Sequence, residues 1–479
     1  MLTTSTTSHP VAIIGAGPIG LAAAAHLAER GLPFLILEAG TAAGAAIAEW
    51  GHTRLFSPWQ YNLDAAAQRL LEAAGWGAPD ADALPTGHEL REHYLEPLAQ
   101  LPQLAESIRY DARVTAVSRA GIDKTRTAHR EETPFLVRIQ TTDGHIDDVL
   151  ASAVIDASGT WSTPNPLGQA GLLAPGEQQA HAAGHITAPL PDVQGRDRAR
   201  FAGKRVMVTG AGHSAANTLL DLADLEADTT IMWAARTADL TRVYGGGDQD
   251  ELAARGALGS RLRQLVDSGR IAVLTSFTIT RFRADDTLTV HAVTPDGERE
   301  VSVDVLVPAT GFRPDLGMLS ELRLALDPAV EAPSQLGPLI DPEFHSCGSV
   351  EPHGERVLAH PETNFYIVGM KSYGRAPHLP HGHRLRTGPL HRSSPGRRPQ
   401  SSRRSPPRTT RDRRMHHRPR RQLRRPSPSR RRLLQQPATD RALRRPMSKQ
   451  RDGTTFCAAP LGHSFTRRHC KFSSYCIVQ

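Results

Sequence analysis

Residues 11–40 and 204–233 repeat one plan: a short β-branched run, a glycine turn, an alanine-rich helical stretch and a second apolar run. In the first copy, Val11–Ile14 leads into Gly15-Ala16-Gly17-Pro18-Ile19-Gly20, residues 21–30 read as helix and Phe34–Leu37 as the next strand. In the second, residues 204–209 lead into Gly210-Ala211-Gly212-His213-Ser214-Ala215, with Ala215 where the third glycine would stand. Strands alternating with helices predict parallel sheets and an α/β fold with two Rossmann-like units.

The spacing of the glycines points to a ligand. The first makes a tight turn, the second lets a pyrophosphate approach the backbone, and the third lets helix and strand pack closely. The helix start then faces the phosphate charge. Glu38 ends the next strand, where a carboxylate accepts hydrogen bonds from a ribose diol. An incidental glycine turn is the alternative, but strand, helix and acid all fall in place. Ala215 is still small enough for close packing. No acid ends the second copy's strand at 230–233; Arg236 follows it, with Arg242 close behind. A guanidinium suits a 2′-phosphate and favours NADPH over NADH, while a solvated surface charge is the competing reading of Arg236. One such unit fits a simple dehydrogenase. Two fit electron transfer from a nicotinamide to a flavin, with FAD on the first loop.

The net charge of +8 over 479 residues averages two unlike parts. Residues 378–479 hold 27 Lys and Arg against 3 Asp and Glu, and residues 1–377 hold 30 against 46, so the tail stands at +24 and the body at −16. An acidic body offers no electrostatic footprint for nucleic acid. The cysteines are Cys347, Cys457, Cys470 and Cys476, with no CxxC, so neither a zinc site nor a dithiol pair is expected in the body. The apolar stretch 11–27 lacks a basic leader and is broken by Gly15, Gly17, Pro18 and Gly20. It reads as strand–turn–helix in a soluble, cytoplasmic protein rather than as a signal or membrane segment.

Helical patterns follow at 64–74 and 88–98, and 110–157 looks β-rich. A Gly/Pro-rich connector covers roughly 159–203, and further buried-type strands fall at 301–309 and 364–368. The expected organisation is a first part of an FAD domain at 1–165, a connector at 166–202, an inserted NAD(P)H domain at 203–304, the second part of the FAD domain at 305–377, and a disordered basic tail at 378–479.

Two further motifs follow buried strands: residues 156–166, DASGTWSTPNP, and residues 307–315, VPATGFRPD. With GAGPIG…LEAG and GAGHSAAN they occur in the order found in FAD/NADPH flavoproteins, and the chain resembles the flavin-containing monooxygenase and pyridine-nucleotide reductase type over about residues 10–377. The stretches RLFSPW (54–59), YGGG (244–247), HSCG (345–348) and GMKSYGRAP (369–377) most resemble a bacterial branch of flavin-dependent monooxygenases and FAD-dependent oxidoreductases, some linked to arsenic-resistance gene clusters. The resemblance alone implies an arsenical substrate. It also implies FAD contacts at Gly15, Gly17, Pro18, Gly20, Glu38, Val114, Ala157, Gly159, Gly311 and Gly369, and NADPH contacts at Gly210, Gly212, His213, Ser214, Ala215 and Arg236.

The implied mechanism passes a hydride from NADPH to the flavin. With no CxxC for a disulfide partner, molecular oxygen becomes the acceptor, and a flavin hydroperoxide oxygenates a small soft nucleophile. A flavin reductase or NADPH oxidase without oxygen transfer is the alternative. His213, Ser214 and Asn217 either order the nicotinamide or peroxide, or merely cap and pack a helix start. Cys347 is either a soft ligand or redox thiol, or an inert buried cysteine. Phe56 and Trp59 either stack near the flavin or pack in the core. The full FxGxxxHxxxW fingerprint of Baeyer–Villiger enzymes is missing; Gly184-His185-Ile186 is a fragment of it.

The Arg/Pro/Ser/His-rich tail could serve, by charge alone, as a polyanion-binding arm of a non-catalytic protein. A second account is out-of-frame translation. Related flavoproteins follow the 365–368 strand with a helix that covers the flavin, and codons allowed for 378–389, read one nucleotide later, can encode such a helix. An intact frame on resequencing through codon 378 would end that account.

Overall fold

The computed structural model describes residues 9–225, 227–241, 243–245, 253–341 and 354–376. Its strands are β1 (Val11–Ile14), β2 (Phe34–Leu37), β3 (Ile108–Arg109), β4 (Arg113–Arg119), β5 (Phe135–Gln140), β6 (Ile146–Ala151), β7 (Ala153–Asp156), β8 (Arg205–Thr209), β9 (Thr230–Ala234), β10 (Ile271–Leu274), β11 (Thr278–Ala284), β12 (Leu288–Thr294), β13 (Gly297–Val303), β14 (Val305–Pro308) and β15 (Phe365–Ile367). Among the described residues they form two parallel sheets, β15-β7-β1-β2-β3 and β10-β9-β8-β14. Two three-stranded antiparallel sheets, β4-β5-β6 and β11-β12-β13, complete them.

Sequence explains the division. β1 reads VAII, β2 FLIL and β14 VLVP, and nearly every residue in them is buried, as parallel strands covered on both faces require. β6, IDDVLA, faces solvent along most of its length. The helix Pro18–Glu29 starts with a proline, whose missing N–H costs nothing there, and buries Leu21, Ala24 and Leu27 on the first sheet. The helix His213–Ala223 buries Ala215, Leu219 and Leu222 beside Val206, Ile231 and Trp233.

β15 returns to the first sheet beside β7, so that sheet is completed by residues beyond the second unit. This is the inserted arrangement expected from the order of motifs. The expected boundary at 304/305 does not hold at strand level. β14 pairs in parallel with β8, which places residues 305–308 in the second sheet. Periodicity alone could not decide this, because a buried apolar strand fits either sheet. Part of the connector also joins the second sheet: Leu306 N donates to His185 O (2.8 Å) and Thr187 N to Leu306 O (3.0 Å). Glu177 is buried and its carboxylate accepts from Leu167 N (3.0 Å) and Ala174 N (2.7 Å), tying the connector to itself.

A buried ion cluster anchors the antiparallel sheet of the first unit. Glu362 is paired with Arg119 and Arg130, each at 2.8 Å, and accepts from Arg323 N at 3.0 Å. No helix among the described residues is long and apolar enough to cross a membrane. The tail from 378, Cys347 and Arg242 lie outside the described residues.

Candidate active site

Both glycine loops are shaped by the strand that crosses beneath them. Gly15 has φ +99°, and a Cβ there would lie 2.9 Å from Ala157 O, just past β7. Gly210 has φ +136°, and a Cβ there would lie 2.0 Å from Ala309 O, just past β14. The fold itself therefore demands the first glycine of each loop. The middle glycines differ: a Cβ on Gly17 or on Gly212 would meet no protein atom within 4 Å. Packing gives no reason for glycine there, whereas a diphosphate drawn against the backbone does.

The helix starts agree with that reading. Gly17 and Gly212 are the N-caps of Pro18–Glu29 and His213–Ala223, and neither supplies a side-chain cap. A helix start whose N-cap residue brings no side chain is a favourable place for an anion. These features fit a dinucleotide at each loop.

Glu38 is buried at the end of β2. Its Oε2 accepts from Ala16 N (2.6 Å) and its Oε1 from Gly40 N (2.7 Å). The carboxylate is therefore a buckle for the first loop, and each oxygen keeps a lone pair for a ribose hydroxyl. Ala112 N donates to Glu38 O at 2.8 Å, which brings the start of β4 and half-buried Val114 to the same turn. In the second loop a different device holds the glycine. The fully buried indole of Trp233 donates from Nε1 to Gly210 O at 2.7 Å. Sequence reading passed over Trp233, since only its place on β9 beside β8 brings it to the loop. Arg236 is exposed just beyond β9.

The two closing motifs bind each other. Asn165 N donates to Gly311 O (2.9 Å), the Asn165 amide to Thr310 O (3.1 Å), and the Thr310 hydroxyl to Asn165 O (2.8 Å). Gly159 and Gly311 both adopt positive φ, +69° and +78°. The rings of Trp161 and Phe312 meet at 4.8 Å across this double crossing. Ala157 N donates to Ile14 O at 3.0 Å, holding the first motif on β1. Gly369, φ +65°, rests on the first nucleotide helix: a Cβ there would lie 2.9 Å from Ile19 Cγ1.

His213 lies at the first turn of its helix, and its ring sits 5.0 Å from that of Phe56. Phe56 thus bridges the first unit to the second loop, whereas Trp59 is buried in the first unit's core. Ser214 O accepts the Thr218 hydroxyl at 2.9 Å, and Asn217 is half-buried one turn on.

A family model described as pyridine nucleotide-disulphide oxidoreductase matches residues 12–335, more than half of the chain. A ferredoxin–NADP reductase of Thermus thermophilus is 25% identical over 346 residues, covering 71% of this chain and 84% of its own. A rice indole-3-pyruvate monooxygenase is 26% identical over 226 residues, covering 44% of this chain and 45% of its own. Among solved structures, the bacillithiol disulfide reductase of Bacillus cereus superposes with TM-score 0.55 at 18% identity, covering 77% of this chain and 92% of its own. The cadaverine monooxygenase of the desferrioxamine pathway in Erwinia amylovora, solved with FAD bound, gives TM-score 0.53 at 14% identity over 78% and 91%. Two parallel units with matched glycine loops, and a family match that spans both, place this oxidoreductase in the pyridine nucleotide-disulphide oxidoreductase family.

Proposed function

We propose that the chain is an FAD-dependent, NADPH-consuming monooxygenase that oxygenates a small soft nucleophile. The observation that carries this reading is the pair of open middle glycines, Gly17 and Gly212, each at an uncapped helix start. Gly15, Gly17, Pro18 and Gly20 hold the FAD diphosphate and Glu38 takes its ribose. Val114, Ala157, Gly159, Gly311 and Gly369 flank the same cofactor. Gly210, Gly212, His213, Ser214 and Ala215 hold NADPH, and Arg236 meets its 2′-phosphate.

When bound at the first loop, FAD would supply the hydride-accepting and oxygen-activating chemistry. The protein's own part is placement. The Asn165–Thr310–Gly311 crossing fixes the passage between the units, and the Phe56–His213 contact seats the second helix start on the first unit. His213, Ser214 and Asn217 are candidates to order the nicotinamide end. Residues 1–377 hold a single cysteine, Cys347, so the body has no dithiol pair of its own to receive electrons, which favours oxygen as acceptor.

The test uses the purified full chain. It should carry or take up FAD, and NADPH under argon should bleach the flavin absorption. Readmitting ¹⁸O₂ with a sulfide or a trivalent arsenical should give a product containing one ¹⁸O. Complete recovery of the NADPH electrons as hydrogen peroxide, for every nucleophile tried, would overturn oxygen transfer and leave an NADPH oxidase. A protein that stays colourless with added FAD would overturn the cofactor assignment.

A further inference from the structure

Directly beneath the first loop lies a charge pair whose burial calls for a reason. Asp156 ends β7, Lys371 lies in the turn Gly369–Tyr373 after β15, and both side chains are 0% exposed. Lys371 Nζ stands 2.7 Å from Asp156 Oδ2. Two apolar residues of similar volume would stabilise such a site as well or better, because both ions must leave water. The pair is therefore a poor device for stability alone.

Its surroundings suggest what it holds. Lys371 Nζ also donates to Ser158 Oγ (3.1 Å), and Ser158 Oγ donates to Asp156 Oδ1 (2.6 Å). The Ser158 hydroxyl proton is thereby committed to Asp156, and one lone pair is committed to Lys371. Ser158 is exposed as a residue, and its hydroxyl oxygen keeps one lone pair as an acceptor for an approaching hydroxyl. The residues on either side are the two already placed at the cofactor: Ala157, whose carbonyl lies against Gly15, and Gly159. The turn that carries Lys371 begins at Gly369, which rests on Ile19 of the nucleotide helix, and Val368 N donates to Asp156 O at 2.9 Å. One buried ammonium thus ties together the end of β7, the turn after β15 and an exposed serine at the mouth of the first loop.

We infer that Lys371, through Asp156, is a cofactor-positioning residue: it fixes the Gly369–Tyr373 turn on β7 and sets Ser158 as a hydrogen-bond acceptor for a hydroxyl of the FAD sugar or ribityl chain. The inference rests on the assignment of FAD to the first loop.

Three full-length variants test it, with FAD affinity read by flavin fluorescence and apoprotein stability by thermal unfolding. Lys371→Met should raise the FAD Kd by about tenfold or more and lower the apoprotein midpoint, since it strands a buried carboxylate. The double variant Lys371→Met/Asp156→Asn should recover the midpoint but not the affinity. A double variant that binds FAD as the wild type does would make the pair purely structural and overturn the inference. Ser158→Ala keeps the Lys371–Asp156 pair but removes the hydroxyl between them, and should weaken FAD binding by about threefold, with a small fall in the apoprotein midpoint because Asp156 and Lys371 each lose one hydrogen bond. Unchanged affinity in Ser158→Ala would overturn the inference even if the double variant failed to fold. A wild-type chain that takes up no FAD would instead overturn the assignment of the first loop itself.

Discussion

The two glycine loops are assembled from the same parts but are held by different residues. In the first, a Cβ on Gly20 would lie 1.9 Å from Gly15 O, so only glycine lets the helix close on the strand. In the second, Ala215 occupies that place fully buried. The first loop is buckled by a carboxylate, Glu38, on the backbone amides of Ala16 and Gly40. The second is pinned by an indole, Trp233, on the Gly210 carbonyl. If Glu38 meets the ribose as proposed, its charge would repel a 2′-phosphate there, whereas the neutral Trp233 buckle with Arg236 beyond the strand would not. On the proposed assignment, the shared glycine pattern receives a diphosphate in both loops, and the residues at or just beyond the end of the next strand set whether a 2′-phosphate is tolerated.

Four experiments probe that contrast. The largest effect is expected for Gly210→Val, which combines a left-handed φ with overlap on Ala309 O. It should cost about 3 kcal/mol or more in urea unfolding and abolish NADPH binding, with FAD retained. Equal loss of both cofactors would show that the units do not fold as separable parts. Glu38→Ala strands the amides of Ala16 and Gly40 and should cost about 1–3 kcal/mol of FAD affinity by titration, leaving the KM for NADPH unchanged. Arg236→Ala should raise the KM for NADPH roughly tenfold while leaving that for NADH unaltered, as loss of a charge-assisted contact requires. If both constants stay put, Arg236 is a solvated charge and the contrast between the strand ends fails.

The smallest effect concerns pH. Burial, then the negative charges of Asp224 and Asp192, push the Asp221 carboxyl in the second unit up to about 6. A carboxyl whose folded pKa is raised is easier to accommodate once protonated. The folded second unit should therefore gain stability as pH falls from 7 through about 6 toward the ordinary carboxylate range. A rise of about 2–4 °C in its thermal midpoint between pH 7 and 5 is expected, and Asp221→Asn should flatten it. A midpoint that falls over that range in the wild type and not in the variant would reverse the assigned sign.

Much of this was legible in one dimension because the signals are local. A strand, a turn and a helix within thirty residues reveal Gly15, Gly17, Gly20 and Glu38 through chain spacing alone. The same holds for Gly210 and Gly212, and the inserted order of the units follows from where the second motif lies. Other features needed distant segments to meet. β14 could have joined either sheet, and only its pairing with β8 places it in the second. Asn165 and Gly311 belong to two motifs that are separate in the sequence and prove to hydrogen-bond each other. His213 read as a cofactor contact or a helix-start residue, and its ring lies against Phe56 of the other unit.

By itself the sequence determined the α/β class, the doubled nucleotide-binding plan and the residues of each glycine loop, because backbone sterics around a tight turn act over a few residues. Only the tertiary structure decided what secures those loops, Trp233 on Gly210 and Lys371 with Asp156, and what anchors the antiparallel sheet of the first unit, Glu362 between Arg119 and Arg130. A lone lysine or tryptophan in a sequence does not say whether it meets water or a partner from a distant segment. Burial and hydrogen bonding settle that, and they exist only once the sheets have formed.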